Sequence, residues 1–337
     1  MQTNPYKGTT SVGLVREAVH GAVQRGIDIS PALEAAGIDP QLLSAPQARV
    51  PADAFSRLWV ALADLLDDEF FAIDSHPMRR GSFKLICQAA LGSDTLAHAL
   101  KRILAFLRLV LDDVYGELNY DGQDALIVIH DHGSQRRLFC YGTWLILVHG
   151  LLCWLANRRI PLKELALRAS RPDDDSDYRA RFCDNLVFDA PQSIARFDRE
   201  VLNLKVAQTP AGLSSFLRES PAAFLVQYRN DDSVSVQIRR RLKDIVPWEW
   251  PELDSLANLL RMSNSTLQRR LASEGINYQR LKDNLRRDMA INLLSQPGVT
   301  VSEVAAQTGF QETSAFHRAF KKWTGISPGA YRRSQPE

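Results

Sequence analysis

Seven polar side chains near the carboxyl end of this 337-residue chain fall into two groups with the same surroundings. Ser265, Gln268 and Arg269 are interleaved with Leu267 and Leu271, while Thr313, Ser314, His317 and Arg318 are interleaved with Phe316 and Phe320. Apolar residues four apart share one face of a helix, so each group occupies the polar side of an apolar-backed helix. Arg269 stands nearly opposite the midpoint of Leu267 and Leu271, with Ser265 also outward and Gln268 at the edge. Thr313 sits near the start of its helix, within reach of a base edge or a phosphate. The chemistry open to such faces is hydrogen bonding to nucleic acid, since Arg spans two acceptors of guanine and Gln pairs with adenine. A solvated helix carries the same residue types for solubility, so one group alone decides little.

The elements that must position these groups also recur. Leu256-Ala257-Asn258-Leu259-Leu260-Arg261-Met262-Ser263 precedes the first group, and Val304-Ala305-Ala306-Gln307-Thr308-Gly309-Phe310 precedes the second. The first halves align at an offset of 48 residues and the second halves at 49, so the second copy has one extra residue in its turn. Each copy reads as a short helix, a tight turn and a second helix, the geometry of helix-turn-helix DNA binding. A helix over Ser233–Val246 is expected ahead of them, then one from Pro251 to Leu260, with Ser263 capping the first reading helix and Gly275 closing it. Asn277 is placed to cap a long helix of about 17 residues, ~25 Å, whose Leu281, Leu285, Met289 and Leu293 form a core seam. Such a rod can hold both reading helices on one duplex face. Of the cations on its other sides, Arg286 and Arg287 are expected to meet phosphate, while Asp283 and Asp288 form local pairs. Thr300 and Glu303 suit a capping box, Gly309 the sharp turn with Phe310 behind it, and Ser327-Pro328 a last short helix with Tyr331 packed.

Charge agrees with this placement. From Arg239 to Glu337, 16 Lys and Arg face 10 Asp and Glu, a net of +6 that leaves −4 on the preceding 238 residues. A basic terminal region beside a mildly acidic one suits a duplex-binding module joined to a different kind of domain. No nucleophile elbow, Gly-rich phosphate loop or His-Glu-x-x-His motif occurs, so no catalytic residues are assigned and an enzyme is the least favoured reading. Cys87, Cys140, Cys153 and Cys183 are too widely spaced for a zinc or redox motif and read as buried thiols. His130 and His132 lack a third ligand at useful spacing, and Arg171 to Asp175 reads as a surface loop, so neither a metal nor a cofactor site is assigned. His98 and Arg102 share a helical face, as an anion pair or as a core-edge pair. The opening residues do not resemble a secretion signal, and the apolar run Phe139–Ala156 reads as a buried helix and not a membrane span, which makes the expected location cytoplasmic.

The first two thirds read as a mixed domain. Helices are expected over 12–24, 31–36, 51–66, 81–91 and 96–111, the last with Leu100, Leu104, Leu107 and Leu111 on one core-facing stripe. Short strands are expected at Leu118–Tyr120, Ala125–His130, Leu165–Ala169 and Asn185–Phe188, forming a modest antiparallel sheet, with Asp121-Gly122-Gln123 as a turn. Packed helices including Phe216, Leu217, Phe224, Leu225 and Tyr228 are expected to follow.

The region from about Ser233 to Arg333 resembles the DNA-binding domain of AraC/XylS-family transcription regulators. Gly309-Phe310, Ser314, Phe316, Arg318, Phe320-Lys321-Lys322, Gly325, Ser327-Pro328 and Tyr331-Arg332 carry the likeness, with Gln311-Glu312 standing where an Asp or Ser often follows the Gly-Phe pair. The resemblance implies two helix-turn-helix units in adjacent major grooves, with Ser265, Gln268 and Arg269 in the first surface and Thr313, Ser314, His317 and Arg318 in the second. It also brings Lys321 and Lys322 to DNA. Met78 to Phe83, Asp94 to Leu100 and Phe182 to Phe188 are similar to segments of a branch with an arabinose-binding-like N-terminal domain. The expected fold is an α+β sensor domain, then an all-α domain with two helix-turn-helix motifs joined by a linker helix. Its expected extents are 10–206 for effector binding and self-association, 207–230 for a helical connection and 231–335 for DNA binding. The expected function is a sequence-specific regulator that activates in response to a metabolite; the alternative is a constitutive or repressing protein whose N-terminal domain mainly mediates dimerisation. Partners implied are double-stranded promoter DNA, RNA polymerase, an unidentified small-molecule effector and a second copy of the chain.

Overall fold

The computed structural model describes residues 8–219, 234–274 and 276–333. They fall into two compact units. One holds Arg16–Ala35 and Ser56–Asn230; the other joins the stretch ending at Val15, and Ala36–Phe55, to the region after Asn230.

The first of these units is built on a five-stranded sheet in the order β3-β4-β7-β5-β6. The strands are β3 (Tyr115–Asp121), β4 (Asp124–His130), β5 (Leu162–Ala166), β6 (Leu186–Val187) and β7 (Ser193–Asp198). β3 and β4 form a hairpin with Asp121 opposite Asp124, and Gly122 takes the positive φ of 56° that so short a connection needs. β7 runs antiparallel to both β4 and β5, whereas β5 and β6 pair in parallel. The sheet is therefore mixed, not wholly antiparallel. Its central strand, β7, was not foreseen. Ser193, Ala195 and Phe197 face the core while Ile194 and Arg196 alternate with them, so small and polar residues point inward and blur the expected pattern.

A helix over Leu138–Leu155 packs into this unit, with a π-helical turn at Ile146–Gly150. It is long and apolar enough to cross a bilayer, but 89% of it is buried inside the protein. Its apolar surface is satisfied by packing: Trp144 lies against Gly116 of β3, which leaves no room for a Cβ there. Burial lowers the pKa of His149 to about 3, and the neutral ring donates from Nε2 to the Ile160 carbonyl at 2.8 Å. That bond is how a histidine is accommodated in the middle of an apolar run. All four cysteines are buried free thiols. The helices Ser82–Leu91 and Leu96–Val110 pair beside the sheet, with Leu100, Leu104 and Leu107 inward as expected. Arg102 donates to the Ala89 carbonyl at 3.1 Å and the Ser93 hydroxyl at 3.2 Å, which ties the helices together and favours the core-edge reading. The helix Pro210–Glu219 follows, while Phe224, Leu225 and Tyr228 lie outside the described residues.

The other unit contains the repeated helices: Val234–Leu242, Leu253–Leu259, Asn264–Ser273, Tyr278–Leu294, Val301–Gln307, Thr313–Thr324 and Pro328–Arg333. The expected start at Ser233 and the closing Gly275 lie outside the described residues. The leading helix stops at Leu242, short of Val246, and a 3₁₀ turn over Pro247–Glu249 separates it from the next. An unexpected two-stranded ladder completes the unit, with β1 (Thr9–Ser11) antiparallel to β2 (Arg49–Pro51). The Thr9 hydroxyl donates to Asp288 Oδ1 at 2.6 Å, and the Tyr331 hydroxyl donates to the Arg49 carbonyl at 3.1 Å.

Candidate nucleic-acid interface

The first reading helix, Asn264–Ser273, starts where Ser263 accepts from the Thr266 amide at 3.2 Å. This satisfies one of the amides a helix leaves unpaired at its start. Leu267 and Leu271 anchor it in a core with Ile238, Leu242, Leu256, Leu281 and Leu285. Ser265, Gln268 and Arg269 are all exposed on its other side.

The second reading helix, Thr313–Thr324, follows the same plan with aromatic anchors. Phe316 and Phe320 are fully buried, with ring centroids 5.7 Å apart, and Phe320 meets Tyr331 edge-on at 5.7 Å. Ser314, His317, Arg318, Lys321 and Lys322 are exposed, and Thr313 is half-buried. The helix before it begins with both halves of the Thr300–Glu303 capping box in place. Gly325, at φ 79°, ends the second reading helix.

The two turns share a backbone plan that the residue types conceal. In the second copy Gly309 has φ 85° and the Phe310 amide donates to the Ala305 carbonyl at 2.9 Å. In the first, at an offset of 48, Arg261 has φ 54° and the Met262 amide donates to the Ala257 carbonyl at 3.0 Å. Arg261 thus holds the left-handed position that Gly309 holds, at the strain a Cβ brings there. The extra residue of the second copy falls at Gln311-Glu312, where Glu312 occupies the cap position without a side-chain bond to the helix amides.

The linker helix, Tyr278–Leu294, is capped by Asn277, which accepts from the Arg280 amide at 2.8 Å. Leu281, Leu285, Met289 and Leu293 are buried along it. Its two arginines named as phosphate contacts are engaged within the protein. The Arg286 guanidinium lies 5.2 Å from the Trp250 ring centroid and 6.0 Å from that of Phe310. Arg287 donates to Asp288 at 3.1 Å. Burial alone would raise the Asp288 carboxyl, but Arg287, Arg49, Arg239 and the Thr9 hydroxyl outweigh it and hold its pKa below the ordinary value. The seven outward residues, with Lys321 and Lys322, therefore lie on the polar faces of the two reading helices, whereas Arg286 and Arg287 lie on the linker helix. Trp250, Thr9 and Arg49 had no sequence signal of their own, because each acts through partners far along the chain.

Comparison with known proteins bears on both parts of the chain. Residues 26–206 match the family described as the arabinose-binding domain of AraC transcription regulator, N-terminal, and residues 256–334 match a helix-turn-helix domain family. The ornithine utilization regulator of Pseudomonas aeruginosa is 23% identical over 319 residues, covering 92% of each chain. The HTH-type transcriptional regulator VqsM of the same organism is 37% identical over 100 residues, covering 29% of this chain and 31% of that one. The crystal structure of the transcriptional regulator CdpR, also from Pseudomonas aeruginosa, aligns over 95% of this chain and 98% of its own at 19% identity, with a TM-score of 0.30.

Proposed function

The chain belongs to the AraC/XylS family of transcription regulators, and from that membership we propose that it is a sequence-specific activator answering to a small metabolite. Its membership makes it a DNA-binding transcription regulator. In this reading Ser265, Gln268 and Arg269 contact one major-groove segment, and Thr313, Ser314, His317 and Arg318 contact the next. Lys321 and Lys322 meet phosphate beside the second, while Arg286 and Arg287 shape the linker helix that carries both. The observation that supports it best is the recurrence, in two copies, of buried anchors, a left-handed turn residue and an exposed polar face.

We assign effector binding and self-association to residues 10–206, a connecting role to 207–230, and promoter recognition with RNA polymerase contact to 231–335. A relative named for the regulation of ornithine utilization supports a metabolite as the signal. An effector acts only through different affinities for two arrangements of the protein. The test combines genomic occupancy of the intact protein and of Arg318→Ala with transcription at the occupied promoters across metabolite mixtures. Occupancy lost in the variant and transcription raised by one mixture are the expected results. Unchanged transcription and DNA affinity in every mixture would instead favour a constitutive or repressing protein whose N-terminal domain serves dimerisation.

A further inference from the structure

We propose that Arg286 is a positioning residue whose guanidinium, held against Trp250 of the first motif and Phe310 of the second, sets the spacing at which the two reading helices meet DNA. This rests on the reading that both helices enter DNA grooves. Arg286 projects from the linker helix between two rings that are themselves fixed. The Trp250 indole N–H donates to the carbonyls of Leu242 at 3.2 Å and Ile245 at 2.9 Å, and its ring belongs to the core of the first motif. Phe310 lies 5.6 Å from Phe316 and 5.9 Å from Trp323, both on the second reading helix. Contacts therefore run from Leu242 through Trp250, Arg286 and Phe310 to Phe316. Beside this path the second motif's turn meets the 3₁₀ turn that precedes the first motif, since a Cβ on Gly309 would lie 3.1 Å from the Cβ of Pro247.

The chemistry calls for an arginine. A planar cation is attracted to ring faces within about 6 Å and keeps its orientation there, whereas a lysine ammonium has no plane to stack. An Asp283 carboxylate oxygen lies 4.0 Å away, and Arg286 Nε has no hydrogen-bond acceptor among the described residues. An ion pair of that length is weak, and the two ring faces supply the rest of the attraction on the group. Its side chain is only 22% exposed, which makes it a poor phosphate ligand. On DNA, one inserted base pair rotates the second contacted segment by roughly 35° and shifts it about 3.4 Å. A stiff connection between the motifs turns that displacement into lost affinity; a loose one absorbs it.

The experiment uses full-length protein and the tightest duplex recovered from a random library, footprinted to locate its two contacted segments. A matched series carries one base pair inserted or removed between them. The intact protein should lose about tenfold or more in affinity on the altered spacings, and Arg286→Met should reduce that penalty to about threefold or less, with Arg286→Lys between them. Loss by Arg286→Met that is equal on every spacing, with a salt slope lowered by about 1, would make Arg286 a phosphate contact and overturn the proposal. An unchanged spacing penalty would overturn it as well.

A second measurement does not need DNA. Spin labels at Ser265→Cys and Ser314→Cys report the separation of the reading helices, and the four native thiols are buried and do not compete for label. Arg286→Met should broaden that distance distribution about twofold, and an unchanged width would overturn the brace. If the intact protein recovers no preferred duplex, the DNA reading fails, while the spin labels still judge Arg286. Phe310→Leu replaces Arg286→Met in both measurements if circular dichroism shows that the methionine variant does not fold.

Discussion

At the scale of single residues, the informative distinction is between cations that face outward and cations held within the protein. Arg269 is exposed opposite a buried leucine pair, whereas Arg286 and Arg287 are occupied by rings and by Asp288. Arg269→Ala should therefore cost about 1–3 kcal/mol on the preferred site and much less on random duplex. Equal losses on both, in titrations at one salt concentration, would assign it to phosphate. Asp288 gives a pH signature. Its folded pKa is depressed, so it contributes stability that is present above the unfolded aspartate value of about 3.9 and is lost as pH falls through the lower folded value. Thermal melts of Asp288→Asn should start about 1.5–3 kcal/mol less stable at neutral pH and change less than the parent below pH ~4. Parallel melting curves for the two proteins would show that the Asp288 pairing contributes nothing.

Among the elements, the turns and the aromatic anchors carry the testable energies. Arg261 pays the strain of a left-handed conformation that Gly309 adopts without it. Arg261→Gly should accordingly stabilise the first motif by about 1 kcal/mol, read from chemical denaturation. A loss of stability would mean that the arginine side chain contributes more than its backbone costs. Phe320 touches both Phe316 and Tyr331 and is fully buried. Truncating it to Ala should destabilise the second motif by about 3–5 kcal/mol. Amide exchange should then rise across residues 300–331 before it rises in the first motif. Native-like protection there would place the core on another face.

For the whole molecule, the amino-terminal ladder changes what counts as the DNA-binding unit. Thr9 and Arg49 surround Asp288, and the Arg49 carbonyl takes the Tyr331 hydroxyl, so the repeated helices are completed by residues from the far end of the chain. A fragment of residues 230–337 keeps both reading helices and the excess of positive charge, and its DNA binding should weaken with added salt as counterion release requires. Without the ladder it should be less stable by roughly 2 kcal/mol, or about 8–16 °C in melting temperature for a domain of this size. Amide protection along residues 285–294, compared between fragment and full chain, is the decisive observation. Equal protection would show that the ladder does not stabilise the linker helix.

What the sequence determined by itself was local and periodic. Leucines and phenylalanines four apart identified the inward faces of both reading helices, and Ser263, Asn277 and the Thr300–Glu303 pair announced the starts of the first reading helix, the linker helix and the helix before the second reading helix, because caps and amphipathic stripes are written within a few residues. The apolar run around His149 was legible as a buried helix for the same reason. Tertiary structure decided the rest. β7 lies at the centre of its sheet although small and polar residues face inward along it, and that placement depends on strands β4 and β5 more than thirty residues distant or separated by a whole helix. Arg261 adopts a glycine-like backbone because the turn around it is held by packing, which its residue type does not favour. The charge of Arg286 is visible in the sequence, but its two aromatic partners, one on each side of the linker helix in the chain, are not. The pairings of Thr9 with Asp288 and of Arg49 with Tyr331 lie furthest beyond a sequence reading: they join residues 279 and 282 positions apart, and no local preference encodes contacts that exist only once the chain has closed on itself.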